Sequence, residues 1–114
     1  MSAVYVSNLV INTYADFSEI FSLDDSNSNS PLNLTGYQVS SQMRKHSGSS
    51  NAVSFGATIY NPTQGQIKVG LTTSQTSAIK PGRYVYDVVI KDPSGVTSRV
   101  VEGMVLVREG VTHP

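Results

Sequence analysis

Acid–base, nucleophilic and metal chemistry each need particular side chains brought to one place, and this chain offers few of them. It has no cysteine, so no thiol can act as nucleophile or ligand. Its two histidines, His46 and His113, are isolated in sequence, the first beside Arg44 and Lys45 and the second near the C-terminus. Neither has the cysteines or the carboxylate pair that a zinc site requires. Glu19, Asp87 and Glu102 are the carboxylates that could be imagined facing one another in a glycosidase. They fall inside strand-like runs, where the expected neighbours are solvent and a positive charge. Serine is abundant, but no Gly-x-Ser-x-Gly elbow or phosphate-cradling glycine loop occurs. Asp25-Ser-Asn27-Ser-Asn29 opens like a calcium loop, then fails at Ser30, where the turn needs glycine, and at Gly36, where a bidentate glutamate belongs. Asn33-Leu-Thr35 matches a glycosylation sequon without a secretory signal to give it meaning. The expectation is a chain with no catalytic residue, no cofactor and no metal.

Aromatic platforms are the remaining chemical resource. There is no tryptophan, and of six tyrosines Tyr14, Tyr37 and Tyr60 lie at strand ends or loops. They are the stacking candidates if the chain is a carbohydrate-binding or host-adhesion domain. The structural alternative makes each a rim residue covering an end of the fold.

Bulk properties narrow the classes further. At 114 residues the chain is large enough for one core, expected to span 1–108, with 109–114 a flexible tail. Eight basic residues balance eight acidic ones, and a zero net charge argues against nucleic acid as partner. No apolar run approaches the ~20 residues that span a bilayer, so no membrane partner is expected. The N-terminal Met-Ser-Ala-Val-Tyr-Val has neither a charged nor an apolar signal region. A soluble protein made in the cytoplasm is the reading.

The elements that must hold these side chains read as strands. Apolar alternation marks Val4 to Thr13, with a bend near Ser7-Asn8, then Phe17 to Leu23 with Phe17, Phe21 and Leu23 on the core face. Leu32 and Leu34 suit a short extended piece tucked under the core. Further strands follow at Tyr37 to Lys45, Val53 to Ile59, and Ile67 to Leu71, and Thr72 to Ala78 reads as a polar connection.

The last third is the best specified. In Asp92-Pro93-Ser94-Gly95, Pro93 presets a type I turn and Gly95 supplies the positive φ that closes a hairpin. That register pairs Asp92 with Val96, Val88 with Val100, Tyr84 with Met104 and Tyr86 with Glu102, and Gly103 is expected to be the bulge that resets it. Tyr84 and Tyr86 have the spacing of a tyrosine corner, with Tyr86 where antibody domains carry cysteine. The expected fold is all-β, an immunoglobulin-like antiparallel β-sandwich of about seven strands. Tyr84, Tyr86, Pro93, Gly95 and Gly103 are its structural residues. Its first strand and its last, Val96 to Val107, are the expected open edges.

The order Asp16-Phe17, Phe21-Ser-Leu-Asp24, Leu32-Asn-Leu-Thr-Gly36, Pro81-Gly-Arg-Tyr-Val-Tyr-Asp87 and the Gly95 turn resembles the immunoglobulin-like N-terminal domain of phage baseplate upper proteins. It is also similar to small virion structural proteins of T4-like marine cyanophages. The resemblance runs from about residue 4 to residue 107. It implies a virion component of a tail, baseplate or capsid surface that docks to other virion proteins, copies of itself included, without catalysis. The chain departs from the baseplate proteins in having no helical linker or receptor-binding extension.

Overall fold

Period-two alternation of β-branched and aromatic residues leaves one face of each strand apolar, and two such faces bury each other. The computed structural model describes residues 4–25 and 30–114. In them the strands are β1 (Tyr5–Val6), β2 (Leu9–Asn12), β3 (Phe17–Ser22), β4 (Gln38–Arg44), β5 (Val53–Ser54), β6 (Gly56–Asn61), β7 (Gln66–Leu71), β8 (Gly82–Lys91) and β9 (Thr97–Arg108). The larger sheet has the order β1-β9-β8-β4-β5, with β2 also on β9, and the smaller has β3-β7-β6. The fold is an all-β sandwich. Its pairings are antiparallel except at one margin, where β1 and β2 run parallel to β9.

The core lies between the sheets and holds Ile11, Phe21, Leu34, Met43, Phe55, Ile67, Val69, Tyr86, Val88, Val101 and Val105 among others. Leu34 is buried and Leu32 half-buried, as their two-residue spacing predicts. Glu19 shares the inward phase of β3 but stays exposed, because β3 is an outer strand of its sheet.

Three local expectations change. Thr72 to Ala78 holds a short helix, α1 (Thr73–Ser77), closed by a reciprocal capping box between Thr72 and Gln75. Its Thr-x-x-Gln signature was present in the sequence. The hairpin register slips between Val88 and Val89, so Val88 pairs with Val101 and Tyr86 with Gly103. The extra residue is Val100, and Gly103 is paired normally. Val100 and Val101 are both fully buried, which strict alternation forbids, so the bulge sits where two adjacent valines both turn inward. Gly103 is needed for a different reason: a Cβ there would lie 2.0 Å from the Ser7 carbonyl oxygen. The third change is at the edges. β9 is flanked by β8 on one side and by β1 and β2 on the other, so it is interior.

The corner is as its spacing implies. The Tyr84 hydroxyl donates to the Lys80 carbonyl at 2.5 Å, four residues upstream. At the hairpin tip Gly95 has φ +97° with open space around it, so its requirement is purely conformational. Asp92 accepts from the Ser94 amide, the Ser94 hydroxyl and the Val96 amide. These bonds, led by the Ser94 hydroxyl, hold its carboxyl below the ordinary carboxylate range.

Candidate docking surface

The carboxylates singled out by sequence do not converge. Arg99 links Asp87 at 3.3 Å and Glu102 at 3.6 Å on the outer face of the larger sheet, while Glu19 belongs to the smaller sheet. Such exposed pairs contribute little stability, about 0–1 kcal/mol. His113 stacks on Tyr14, ring centroids 3.7 Å apart and planes within 16°. Among the described residues no group of three or more His, Cys, Asp or Glu could hold a metal ion. Of the calcium-like stretch, residues 26–29 lie outside the described part.

The three candidate stacking tyrosines are not one platform. Tyr14 sits in the turn between β2 and β3, with φ +64°, and one ring face is covered by His113. Tyr37 and Tyr60 belong to the opposite end, beside the Leu34 amide bonded to the Pro62 carbonyl. Tyr37 is half-buried against the core. Tyr60 is exposed, with the Lys68 ammonium 5.8 Å from its ring centroid. A groove of about 240 Å³ runs along Val39, Ser41, Phe55 and Ala57 between β4 and β6, and none of the described residues lining it is ionisable.

What the fold does concentrate is exposed apolar surface. Val4, Tyr5, Val6, Val10, Met104 and Leu106 all lie at the β1–β2–β9 margin, whereas Ile20, Tyr60, Val96 and Val111 are scattered elsewhere. Alternation explains the pattern on β9. Val105 and Val107 point into the core, so Met104 and Leu106 point out, 46% and 39% exposed. On the margin strands Val6 pairs with Glu102 and Val10 with Leu106, and these two valines are 68% and 50% exposed. Val85 of β8 lies opposite Met104 and extends the strip inward. Nothing in the local sequence distinguishes these residues from core residues. The signal lay in the phase of β9, which the bulge at Val100 sets.

The margin strands are held in an unusual way. β1 and β2 keep one offset to β9 across their interruption at Ser7-Asn8, which falls where the sequence predicted a bend. The Asn8 side-chain oxygen accepts from the Met104 amide at 3.0 Å, supplying the acceptor the broken strand lacks. The Ser7 carbonyl turns inward and accepts from the Tyr86 hydroxyl at 2.6 Å. Thr13 closes the margin, its amide bonded to the Arg108 carbonyl and its hydroxyl accepting from Gly110. Two short pieces with a jog between them make a poor template for strand addition. The surface is suited to docking through side chains.

No family model matches the chain, and no curated protein matches it. Among solved structures it is similar to a Listeria monocytogenes internalin-like protein, at 13% identity and a TM-score of 0.46. The match covers 94% of this chain and 28% of that one, so the chain spans under a third of its length.

Proposed function

We propose that this chain is a non-enzymatic structural and interaction module of a phage particle, docking to other virion subunits through the β1–β2–β9 margin. The observation that carries the docking role is the clustering of Val6, Val10, Met104 and Leu106 on one outward face. Contiguous exposed apolar surface on a small domain marks an interaction site. The placement in a virion, whether tail, baseplate or capsid surface, draws its support from the resemblance carried by Pro81 to Asp87 and the Gly95 turn. Virion parts are repeated about an axis, which makes a homo-oligomer the natural assembly. Neither nucleic acid nor membrane is needed as a partner in this reading. The finer description of the fold as immunoglobulin-like is part of the same proposal, supported by the strand orders and the Tyr84–Lys80 corner.

The test is association with particles purified from the phage whose genome encodes the chain. Wild type is expected to co-sediment with them, and Met104→Lys, which adds a charge to the strip without touching the core, is expected to lose that association. A chain that never associates, or a Met104→Lys variant that associates as wild type does, sinks the proposal.

A further inference from the structure

The docking face carries a charge pattern as well as apolar side chains, and the pattern selects an occupant. Met104 and Val85 form its central row. Two residues toward the Tyr14 end, Val10, Leu106 and Arg83 form the next row, with Arg108 beyond. Two residues the other way, Val6, Glu102 and Asp87 form the opposing row. Each flanking row is therefore roughly 7 Å from the centre. Arg83 and Arg108 are exposed and take part in no ion pair among the described residues. Asp87 and Glu102 share the single guanidinium of Arg99, which leaves negative charge in excess there.

From this we propose that the face binds a second copy of the chain, packed face to face about a twofold axis through Met104, with the strands of the two copies antiparallel. The proposal rests on the reading of this margin as a docking surface and names its partner. A parallel arrangement about Met104 lays Arg83 over Val10 and Asp87 over Val6 and sets Glu102 on Glu102, so no charge meets its opposite. The antiparallel one lays Arg83 over Asp87 of the other copy, Val10 over Val6 and Leu106 over Glu102, so every contact off the axis occurs twice, as an isologous interface requires. Packed sheets cross at about 30°, and a rotation about Met104 leaves the central row in register while long side chains absorb the shift at the flanks. Arg44, beside Val85, stays off the strip because its guanidinium is bonded to the Ser49 carbonyl at 2.6 Å and the Gln42 side chain at 3.1 Å. The zero net charge removes any long-range repulsion between copies.

The absence of native cysteine makes the test direct. Met104→Cys places one thiol on the axis, and Ile20→Cys places one at an exposed site on the smaller sheet. Under mild oxidation Met104→Cys is expected to form a covalent dimer at least tenfold faster than Ile20→Cys, and Arg83→Glu added to it is expected to slow the reaction. Thermal melts of each reduced variant establish that it is folded. In parallel, sedimentation of the wild type is expected to show a dimer that weakens as salt rises. Equal cross-linking rates in the two variants overturn the proposal. So does a wild type that stays monomeric at about 1 mM. A monomer whose Met104→Lys variant still loses particle association refutes self-pairing while the docking reading stands. A Met104-centred dimer that ignores the particles does the reverse.

Discussion

The Tyr86 hydroxyl donates to the Ser7 carbonyl at 2.6 Å, joining the middle of the core to the break in the margin strand across 79 residues of chain. Tyr86 is packed between Phe21 and Phe55, ring centroids 6.5 and 6.1 Å away. It lies opposite Gly103, whose missing side chain lets the Ser7 carbonyl come in. The three residues form one device that fixes the margin, and with it the outward strip, to the core.

Removing the hydroxyl with Tyr86→Phe is expected to cost about 1 kcal/mol, since the ring contacts remain and one hydrogen bond is lost. The pH dependence is more specific. Burial, aided by the nearby charge of Glu19, pushes the Tyr86 hydroxyl up to about 12 from its ordinary 10.0. Between those values the unfolded chain has released the proton and the folded chain retains it. The unfolded state then binds fewer protons, so stability falls as pH rises through the window. Urea midpoints measured from pH 9 to 12 are expected to decline for the wild type and to decline less for Tyr86→Phe.

Gly103→Ala puts a methyl group against backbone that has no room to move without lifting the margin. A loss of roughly 1–3 kcal/mol is expected, as for other overpacked sites. Amide exchange should locate it, with protection lost first at the amides of Ser7 and Thr13, which bond to β9. Unchanged protection there would show that the close approach is not what holds the margin.

Tyr84→Phe deletes the corner bond to the Lys80 carbonyl and keeps the ring under the Lys45 ammonium, 5.0 Å from its centroid. The expected cost is about 1 kcal/mol. Chemical denaturation of the variant decides whether the corner stabilises the fold or merely accompanies it.

Asp92 ties the hairpin tip through three accepted hydrogen bonds. Its folded carboxyl titrates below the unfolded value of 3.8, so its contribution is present above that pH and is lost as pH falls further. Asp92→Asn is expected to melt close to wild type near neutrality and to show a shallower fall in melting temperature on acidification. Asp92→Ala should melt lower throughout.

If docking through the margin is the work of the chain, Tyr60 has no sugar to hold. Wild type and Tyr60→Ala are both expected to be blank on a glycan array. Binding by the wild type that Tyr60→Ala abolishes would favour an adhesion domain.

Much of this molecule was legible in its residues because it depends on neighbours in sequence. Alternation at Phe21 and Leu23 and again at Ile67, Val69 and Leu71 determined which side chains turn inward, Asp92 to Gly95 determined a turn, and the spacing of Tyr84 and Tyr86 pointed to a corner. The Thr72–Gln75 cap was equally local, yet its stretch read only as a polar connection. Contacts between distant segments were not legible. A glycine in a strand says only that a side chain is unwelcome, and Gly103 was as consistent with a bulge as with the Ser7 carbonyl that occupies its space. Whether β9 is an edge depends on two short pieces from the other end of the chain settling parallel to it, a pairing that leaves no mark in either segment. The tertiary structure alone therefore decided that Val6, Val10, Met104 and Leu106 share one outward face. Such a face is a property of non-local register, and sequence periodicity fixes register only within a strand.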